Sequence, residues 1–486
     1  MPGASARLTA VGIGLVLAAC AGPDYRRPAV DMPVAWKTEP PWRESAPNDL
    51  ASKGEWWARF DDPALASLEW QALKDSPTLA AANGRLAQAR ATVAAASASL
   101  FPQAALAARA ARFKISADRP LTNYQSPNFS TVQNDFASAL TVSYEVDLSG
   151  RIQRTIEGAR ASAEQSAADL ENTRLLLTTD LASAYFNLRE LDIELDVLER
   201  SIDLQRKSLD LATARHDLGA ASGLDVAQQQ ALLDSTLTQV DVLRKQRSQF
   251  EHAIATLIGT AAPVFSVAAD VRPLVPPSIP IGVPSDVLER RPDVASAERA
   301  MAAANAQIGV ANAAFYPSIF LTPVAYGVES VALSSLFSAP SLLWSIGVSV
   351  AQPLFDGGRI RANVDFARAG YDVAVANYRH VVLTAMQEAE DGITGLASLE
   401  RASAQAQVAI DSTRRVLDLA LSRYEGGVAT YLDVITAQQG LLNNERLAAQ
   451  LQGQQLLTSV FLVKALGGDW QGAPRLSSAD RPRGAD

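Results

Sequence analysis

Two stretches of this chain have closely similar sequences. Residues 209–226 read LDLATARHDLGAASGLDV, and residues 417–434, which lie 208 positions later, read LDLALSRYEGGVATYLDV. The same offset pairs Gly150-Arg151-Ile152 with Gly358-Arg359-Ile360. Self-similarity at a fixed spacing indicates a duplicated architecture. In each copy one helical pattern ends, a glycine follows and a second helical pattern begins, which predicts the tip of a helical hairpin.

The composition favours long helices over a bulky globular core. Hydrophobic residues make up 48% of the 486 residues, but aromatic residues only 6%. The net charge is −9 without a basic tail, which argues against a nucleic-acid partner. One cysteine and three histidines exclude a disulfide framework and a multi-cysteine metal site. We therefore expect no cofactor apart from a covalent lipid.

The first 19 residues have the pattern of a signal peptide. Arg7 is followed by the apolar run Leu8–Ala19, which is too short to span a bilayer. Leu17-Ala18-Ala19-Cys20 resembles a bacterial lipobox, and the resemblance implies cleavage before Cys20 and acylation of its side chain. By the general lipoprotein pattern, Ala21 in the next position implies sorting to the outer membrane. The alternative is an ordinary signal peptide with an incidental cysteine.

The rest of the chain divides into two repeats with a linker between them. Residues 20–62 are rich in proline and tryptophan, which predicts an extended, lipid-anchored segment docked on the outside of the molecule. Repeat 1 spans 63–260 and repeat 2 spans 293–467. The linker 261–292 carries seven prolines, and a polar tail follows at 468–486.

Each repeat has the order helix, strand, strand, very long helix, turn and medium helix. The predicted helices are 78–100, 151–218, 224–258, 293–314, 359–425 and 431–466, the strands are 102–113, 136–148, 317–328 and 343–355, and the turns are 219–223 and 426–430. At a rise of 1.5 Å per residue, the long helix measures about 100 Å and its two shorter companions about 35 and 50 Å. The simplest packing therefore stacks the two shorter helices end to end, antiparallel to the long one.

The strands alternate apolar and polar residues. In 136–148 the polar face includes Glu145 and Asp147, which predicts that this face contacts water, while Trp344, Ile346, Val348 and Val350 share one face of 343–355. Strands of this length suit a transmembrane barrel, but barrels need at least about eight strands. Four strands per chain therefore require oligomerisation, either a dimer with eight or a trimer with twelve. The alternative is a soluble sheet domain beside a helical bundle.

Several motifs together resemble the outer-membrane efflux protein family. They are GVPSDVLERRPDVASAER at 282–299, CAGPDYRRP at 20–28, FDGGR at 355–359 and the turn region 423–439. The match is specifically to TolC-like channels and their NodT-like lipoprotein branch. The resemblance implies a mainly α-helical homotrimer with a twelve-stranded transmembrane β-barrel and a periplasmic tunnel of coiled-coil helices. It also implies docking to a periplasmic adaptor protein and an inner-membrane resistance-nodulation-division pump.

The resemblance assigns roles to the two turns. In the family they form the periplasmic entrance and the adaptor contact, which here fall on Gly219, Ala220, Gly427 and Val428. Simple helix capping by glycine is the alternative, and both can hold. Arg215, His216, Arg423 and Tyr424 are candidates for tying neighbouring tips together, with surface salt bridging as the alternative.

The candidate gate residues follow the turns. Asp225 and Asp433 would bring several carboxylates together in an oligomer, which would raise some of their pKa values and attract cations. The alternative is an acidic residue in the first helical turn, stabilised by the helix dipole. The family's gate aspartate falls on Thr436, before Ala437-Gln438-Gln439, so Asp433 one turn earlier is its expected substitute. We expect the second turn, with Tyr431 and Asp433, to contribute most to gating, with Thr436 and Gln439 nearby.

An enzymatic function is not expected. His216, His252 and His380 are far apart, and neither G-x-x-x-x-G-K-[ST] nor G-x-S-x-G occurs. The resemblance instead implies a passive exit duct for drugs or other small molecules, with the substrate selected by the pump. A lipid-anchored periplasmic coiled-coil scaffold is the main alternative, and an exit duct for secreted proteins or peptides is a variant of the channel.

Overall fold

The computed structural model describes Tyr25 and residues 54–116, 131–273, 275–277 and 290–468. Four sequence predictions concern residues largely or wholly outside this range. They are the signal peptide 1–19, the lipidation site Cys20, the N-terminal segment up to residue 53 and the tail after residue 468. Part of the linker, 278–289, also lies outside the described residues.

Two helices of equal length dominate the described chain. They are α3, Arg151–Asp217, and α6, Arg359–Glu425, each of 67 residues. Each is followed by a helix of 35 residues, α4 at Gly223–Leu257 and α7 at Tyr431–Ala465. The remaining helices are α1 at Pro63–Asp75, α2 at Pro77–Ala98 and α5 at Pro292–Ala313. All three begin with a proline, whose missing N–H has no intrahelical partner to lose in a first turn.

The described end of the N-terminal segment is helical. Trp56–Phe60 form a 3-10 helix, and the side chains of Trp56 and Trp57 are 2% and 3% exposed. The prediction of an extended conformation is therefore wrong for these five residues. Burial of the indole rings in the core explains the compact turn, because both rings must face the same apolar cluster.

The four strands form one antiparallel sheet in the order β1-β2-β3-β4. Their bounds are Gln103–Ile115, Thr131–Val146, Ser318–Ser330 and Leu342–Ala351. Each strand pairs with its neighbour in sequence order, so β1 and β4 are the two edges. Within the described chain neither edge has a further strand partner.

The register gives the sheet two different faces. Leu140 pairs with Tyr326, which pairs with Trp344, and this face continues with the apolar residues Leu106, Val328, Ile346, Val348 and Val350. Many of these side chains are exposed, Trp344 to 71% and Ile346 to 73%. The opposite face carries small and polar residues, including Arg109, which pairs with Asp135 and Glu329 across three strands.

The two carboxylates predicted to face water at the end of β2 have other partners. β2 ends at Val146, and Asp147 accepts hydrogen bonds from the backbone N–H groups of Ile152 and Gln153 at 3.0 and 2.8 Å. Glu145 pairs with Arg151 at 2.6 Å. Asp147 thus caps the start of α3, because the first N–H groups of a helix need acceptors outside the helix, while Glu145 binds the side chain of the first helical residue. β4 likewise ends before its predicted limit, and Asp356 accepts from Gly358 and Ile360 at the start of α6.

The chain separates into two compact units. One includes Arg85–Ser166 and Ala297–Tyr378, and so contains the sheet. The other includes Val30–Gly84, Ala167–Ser296 and Arg379–Asp486, and so contains both hairpin turns. Among the helices that the structure describes, none combines the length and the apolar composition that a membrane span needs.

A buried arginine organises the main core of the second unit. Arg189 of α3 is 1% exposed and bonds to Asp62 at 3.1 Å, while Asp62 caps α1 by accepting from Ala64. The same guanidinium donates to the carbonyl oxygens of Asp270 and Arg272 at 2.9 and 3.2 Å. One side chain therefore joins α1, α3 and the inter-repeat segment. Buried charge of this kind is tolerated only because its donors are paired.

Two glycines allow helix ends to meet. Gly259, just after α4, has φ +75°, and a β-carbon there would lie 2.5 Å from the carbonyl oxygen of Asp75, just before α2. Gly467, just after α7, has φ +81°, and a β-carbon there would lie 2.8 Å from the carbonyl carbon of Arg290, just before α5. The end of α4 thus meets the start of α2, and the end of α7 the start of α5. This is the end-to-end contact expected from the helix lengths.

We predict that Gly259→Ala destabilises the protein. The left-handed backbone costs alanine roughly 1–2 kcal/mol, and displacement of the Asp75 carbonyl adds to this. Thermal unfolding followed by circular dichroism should show a lower Tm. The matched control is Gly84→Ala, because a β-carbon there meets no atom within 4 Å and a helical alanine is favoured over glycine. Equal Tm values for the two variants would contradict the proposed role of Gly259.

Candidate functional site

The first hairpin turn is closed by a left-handed glycine and a capped helix. Gly219 has φ +74°, and the N–H of Ala220 donates to the carbonyl of Arg215 at 2.7 Å, which satisfies the end of α3. At the start of α4, Leu224 donates to the Ser222 hydroxyl at 3.0 Å. In return, the Ser222 N–H donates to Asp225 at 3.2 Å. This reciprocal pair is a capping box.

The second turn repeats this design. Gly427 has φ +75°, and the N–H of Val428 donates to the carbonyl of Arg423 at 2.9 Å. Thr430 donates to the carboxylate of Asp433 from its backbone N–H at 3.1 Å and from its hydroxyl at 3.0 Å. The aspartates that the sequence singled out are therefore equivalent residues, each fixing the start of a returning helix.

Three of the four candidate gate residues share one exposed face of α7, whereas Asp225 lies half-buried at the start of α4. Asp433, Thr436 and Gln439 are exposed, as is Asn443 one turn further on, whereas Val434, Ala437 and Gln438 between them are buried. Their spacing of three or four residues places the exposed side chains along one stripe of the helix. The Thr436 hydroxyl donates to the Leu432 carbonyl at 2.8 Å. A negative charge followed by neutral polar groups thus lies along this stripe, next to the turn.

The candidate adaptor-contact residues lie on the outer surface of the turns. Gly219, Ala220, Gly427 and Val428 are all exposed. A β-carbon at either glycine would meet no atom within 4 Å. Val428 itself is 68% exposed, and the apolar side chains near these positions in the chain are exposed too, namely Leu218 at 84%, Leu224 at 63% and Leu432 at 57%. Apolar side chains clustered at a tip favour contact with another protein.

The two turns of the chain are bound to each other by Arg215. Its guanidinium lies 4.7 Å from the ring centroid of Tyr424 and donates to the Tyr424 carbonyl at 3.2 Å. That carbonyl belongs to the last turn of α6, where the helix dipole favours a cation. His216 instead lies 3.1 Å from the carbonyl oxygen of Ala221, within its own turn. Arg215 and Tyr424 thus form the tie that the sequence suggested, whereas His216 does not contribute to it.

Tyr431 forms a buried polar contact that the sequence did not predict. The residue is 2% exposed, and its hydroxyl lies 3.2 Å from the Ser208 carbonyl oxygen and 3.0 Å from the Gln229 side-chain oxygen. Gln438 donates to the Ser208 hydroxyl at 2.7 Å. Burial raises the pKa of the Tyr431 hydroxyl, so it remains a proton donor. The tyrosine that we expected to act in gating beside Asp433 therefore packs between the hairpins, away from solvent.

These contacts make the two hairpin ends a single packed structure. The apolar part of the contact joins Ala212 and Leu232 of the first hairpin to Leu417, Tyr424 and Val434 of the second. Periodicity identified these positions as helical, but it could not identify their partners on the other hairpin. The one signal for this contact in the sequence was position 431, which is tyrosine in the second copy and glycine, Gly223, in the first.

Comparison with known proteins agrees with this architecture. The family model described as outer membrane efflux protein matches residues 69–260 and 283–468. The chain belongs to the outer membrane efflux protein family. It is an outer-membrane component of an efflux pump, and its extended helices form a periplasmic domain.

Individual relatives extend over nearly the whole chain. The toluene efflux pump outer membrane protein TtgF of Pseudomonas putida is 31% identical, covering 95% of this chain and 96% of TtgF. The pyoverdine export outer membrane protein OpmQ of Pseudomonas aeruginosa is 32% identical, covering 88% of this chain and 91% of OpmQ. The solved structure of the outer-membrane channel OprN superposes with a TM-score of 0.82 at 29% identity, covering 93% of this chain and 100% of OprN.

We predict that Tyr431→Phe loosens the contact between the hairpins. The hydroxyl has one hydrogen to donate and the Gln229 oxygen is the nearer acceptor, so removing the hydroxyl leaves that buried oxygen without this donor, which costs about 1–3 kcal/mol. Urea denaturation should show the loss as a lower midpoint. Tyr371→Phe is the control, since the Tyr371 hydroxyl has no hydrogen bond with the residues that the structure describes. A Tyr431→Phe midpoint equal to that of the control would show that the hydroxyl contributes nothing.

Proposed function

We propose that three copies of this chain assemble into the exit duct of a tripartite efflux pump, through which small organic molecules leave the cell. The observation that carries the proposal is the amphipathic, open-edged sheet. Its apolar face exposes Trp344, Ile346, Val348 and Val350, and its other face carries Arg109, Asp135 and Glu329. An apolar face suits lipid, and a polar face suits a water-filled lumen.

The edges of the sheet support assembly of several copies. Backbone groups at a strand edge cannot remain unpaired in lipid. β1 and β4 are the edges of the sheet, so pairing β1 of one copy with β4 of the next satisfies both. Repeating this contact closes a barrel of twelve strands with three copies. A dimer would close with eight strands, a number that leaves little space inside.

The hairpin ends support a role as the periplasmic entrance. Their surface combines the apolar side chains of Leu218 and Val428 with accessible glycines, which suits contact with the helical hairpins of a periplasmic adaptor protein. The inner-membrane partner that we propose is a resistance-nodulation-division pump. Such a pump would select the substrate and supply the energy.

The names of the relatives support small organic molecules as substrates. TtgF is named for toluene efflux and OpmQ for pyoverdine export, which are chemically unlike compounds. A duct that accommodates such different molecules needs little binding specificity of its own.

We also propose that Cys20 carries a lipid anchor. Labelled palmitate should enter the wild-type protein but not Cys20→Ser, and equal labelling would contradict this.

Single-channel recording in planar bilayers tests the proposal. The purified full-length protein should give discrete conductance steps, and chemical cross-linking should yield a trimer. A lipid-anchored scaffold would give neither steps nor a barrel that resists detergent until heated. A protein-secretion duct would conduct too, but a deletion strain would then lose an exported polypeptide rather than become sensitive to solvents and drugs.

We predict that Asp433→Asn lowers the cation preference of the channel several-fold. Asparagine keeps an oxygen that can accept from Thr430, so the turn is retained while one negative charge per copy is lost. The reversal potential in a KCl gradient should move towards zero. Asp241→Asn on α4, 16 residues from Asp225, is the charge-matched control and should leave the reversal potential unchanged. An unchanged potential in Asp433→Asn would exclude Asp433 as a gate charge.

A further inference from the structure

A group of charged and polar side chains separates two apolar clusters in the packing of α3 against α7. On one side of it, Leu181 and Tyr185 of α3 share an apolar cluster with Leu456 and Val460 of α7. On the other side, Leu191 and Leu198 of α3 share a second cluster with Leu442 of α7. Between the clusters lie Glu190, Glu194, Arg446 and Gln450, with Gln239 from α4. Charged groups inside an apolar seam are costly unless they are paired.

Glu194 uses the available donors of this polar group. It is 3% exposed and accepts from Arg446 at 2.6 Å and from Gln450 at 3.2 Å. Arg446 also donates to Gln239 at 2.8 Å. One cation is therefore committed to one carboxylate, and the nearby Glu445 pairs instead with Arg414.

Glu190, one turn before Glu194, is held in the same seam without a cation of its own. Its side chain lies against α7 at Gly453, where a β-carbon would be 2.5 Å from the Glu190 Cγ atom. No described residue donates a hydrogen bond to its carboxyl group. The group faces Glu194 from its own helix and Arg446 from α7, and α4 contributes the uncharged Gln239, which accepts from Arg446. Two carboxylates thus lie near one guanidinium, which is bonded to Glu194.

We propose that Glu190 is a proton-binding site in the contact between α3 and α7, and that loss of its proton weakens this contact. The neutral carboxyl fits the seam, because it removes the uncompensated negative charge beside Glu194. The charged carboxylate is repelled by Glu194 and, being half-buried, has lost part of its hydration. The ligand of this site is a proton. Its binding favours contact between the two hairpins of one chain.

Burial and the neighbouring Glu194 raise the pKa of Glu190 to about 7, although Arg446 opposes the shift. In an unfolded chain the pKa of a glutamate is about 4.3. The folded protein therefore binds this proton more tightly, and the resulting stabilisation is complete below the unfolded pKa. It is lost as the pH rises from about 4.5 to about 7, and no further loss is expected above about 8.

This site has a consequence for the duct that rests on the proposed function. α3 leads into the first turn and α7 leads away from the second, so their contact resists separation of the two hairpins. A channel whose entrance opens by hairpin movement would open more readily near neutral pH than in acid. The proton site itself does not depend on this, because it concerns the stability of one chain.

Thermal unfolding of the full-length protein between pH 5 and pH 8.5 tests the site. Glu190→Gln mimics the protonated carboxyl, so its Tm should match the wild type at pH 5 and exceed it increasingly up to about pH 7.5. Glu199→Gln, an exposed glutamate of the same helix, is the control and should give a difference that does not vary with pH. The buried Glu69, whose pKa is also raised by burial, contributes equally to all three proteins. Parallel curves for the wild type and Glu190→Gln would overturn the proposal.

A second measurement needs no variant, in case Glu190→Gln does not fold. Hydrogen–deuterium exchange of wild-type segments 188–198 and 446–456 should show lost protection between pH 5.5 and pH 7.5, after correction for intrinsic exchange. Segment 228–238 of α4 serves as the internal reference. Equal changes in all three segments would overturn the proton site. A functioning site in a protein without channel conductance would instead reject the proposed function and leave the proton site intact.

Discussion

The contact between a helix end and the start of another helix is the constraint on which this fold depends. α3 and α6 each have 67 residues, and the helices that return from their turns have only 35. A second, separate helix must therefore continue where each returning helix stops. Gly259 and Gly467 permit this, because any side chain there would collide with the backbone before α2 or α5. Gly259 and Gly467 lie 208 positions apart, the same offset as the two similar stretches, and this pair of glycines thus has a definite steric reason.

Buried charged residues then fix which segments lie together. Arg189 holds the cap of α1 and the inter-repeat segment against α3. Arg291 does the same for the second repeat, since it bonds to Asp293 and Glu388 at 2.6 Å and to the carbonyl of Ala465 at 3.2 Å. In both cases the guanidinium satisfies main-chain oxygens that a helix end or an irregular segment leaves free. Removing Arg189 would leave the buried carboxylate of Asp62 without this cation, and removing Arg291 would take the same cation from the half-buried Asp293 and Glu388.

The turns combine a packed interior with an accessible apolar surface. Inside, Arg215, Tyr424 and Tyr431 bind the first hairpin to the second. Outside, glycines and apolar side chains are accessible. The aspartates of the two capping boxes lie at the start of the returning helices. An efflux channel needs this combination if its entrance is to hold one shape and still accept a partner. The polar seam around Glu190 lies further along the same helices, where proton occupancy can alter how firmly they pack.

The sequence by itself determined the duplication, the long helices, the positions of both turns and the four strands, because these depend on local periodicity and on glycine and proline placement. It also identified the family, through motifs in the N-terminal segment, the linker and repeat 2. Tertiary structure decided the roles of particular polar residues. Asp147 became a helix cap instead of a water-facing strand residue, and Tyr431 became a buried tie. The pairing of Glu194 with Arg446, which leaves Glu190 without a cation, joins residues 252 positions apart. Such partners depend on how two helices pack in space, and no local pattern in the sequence encodes that.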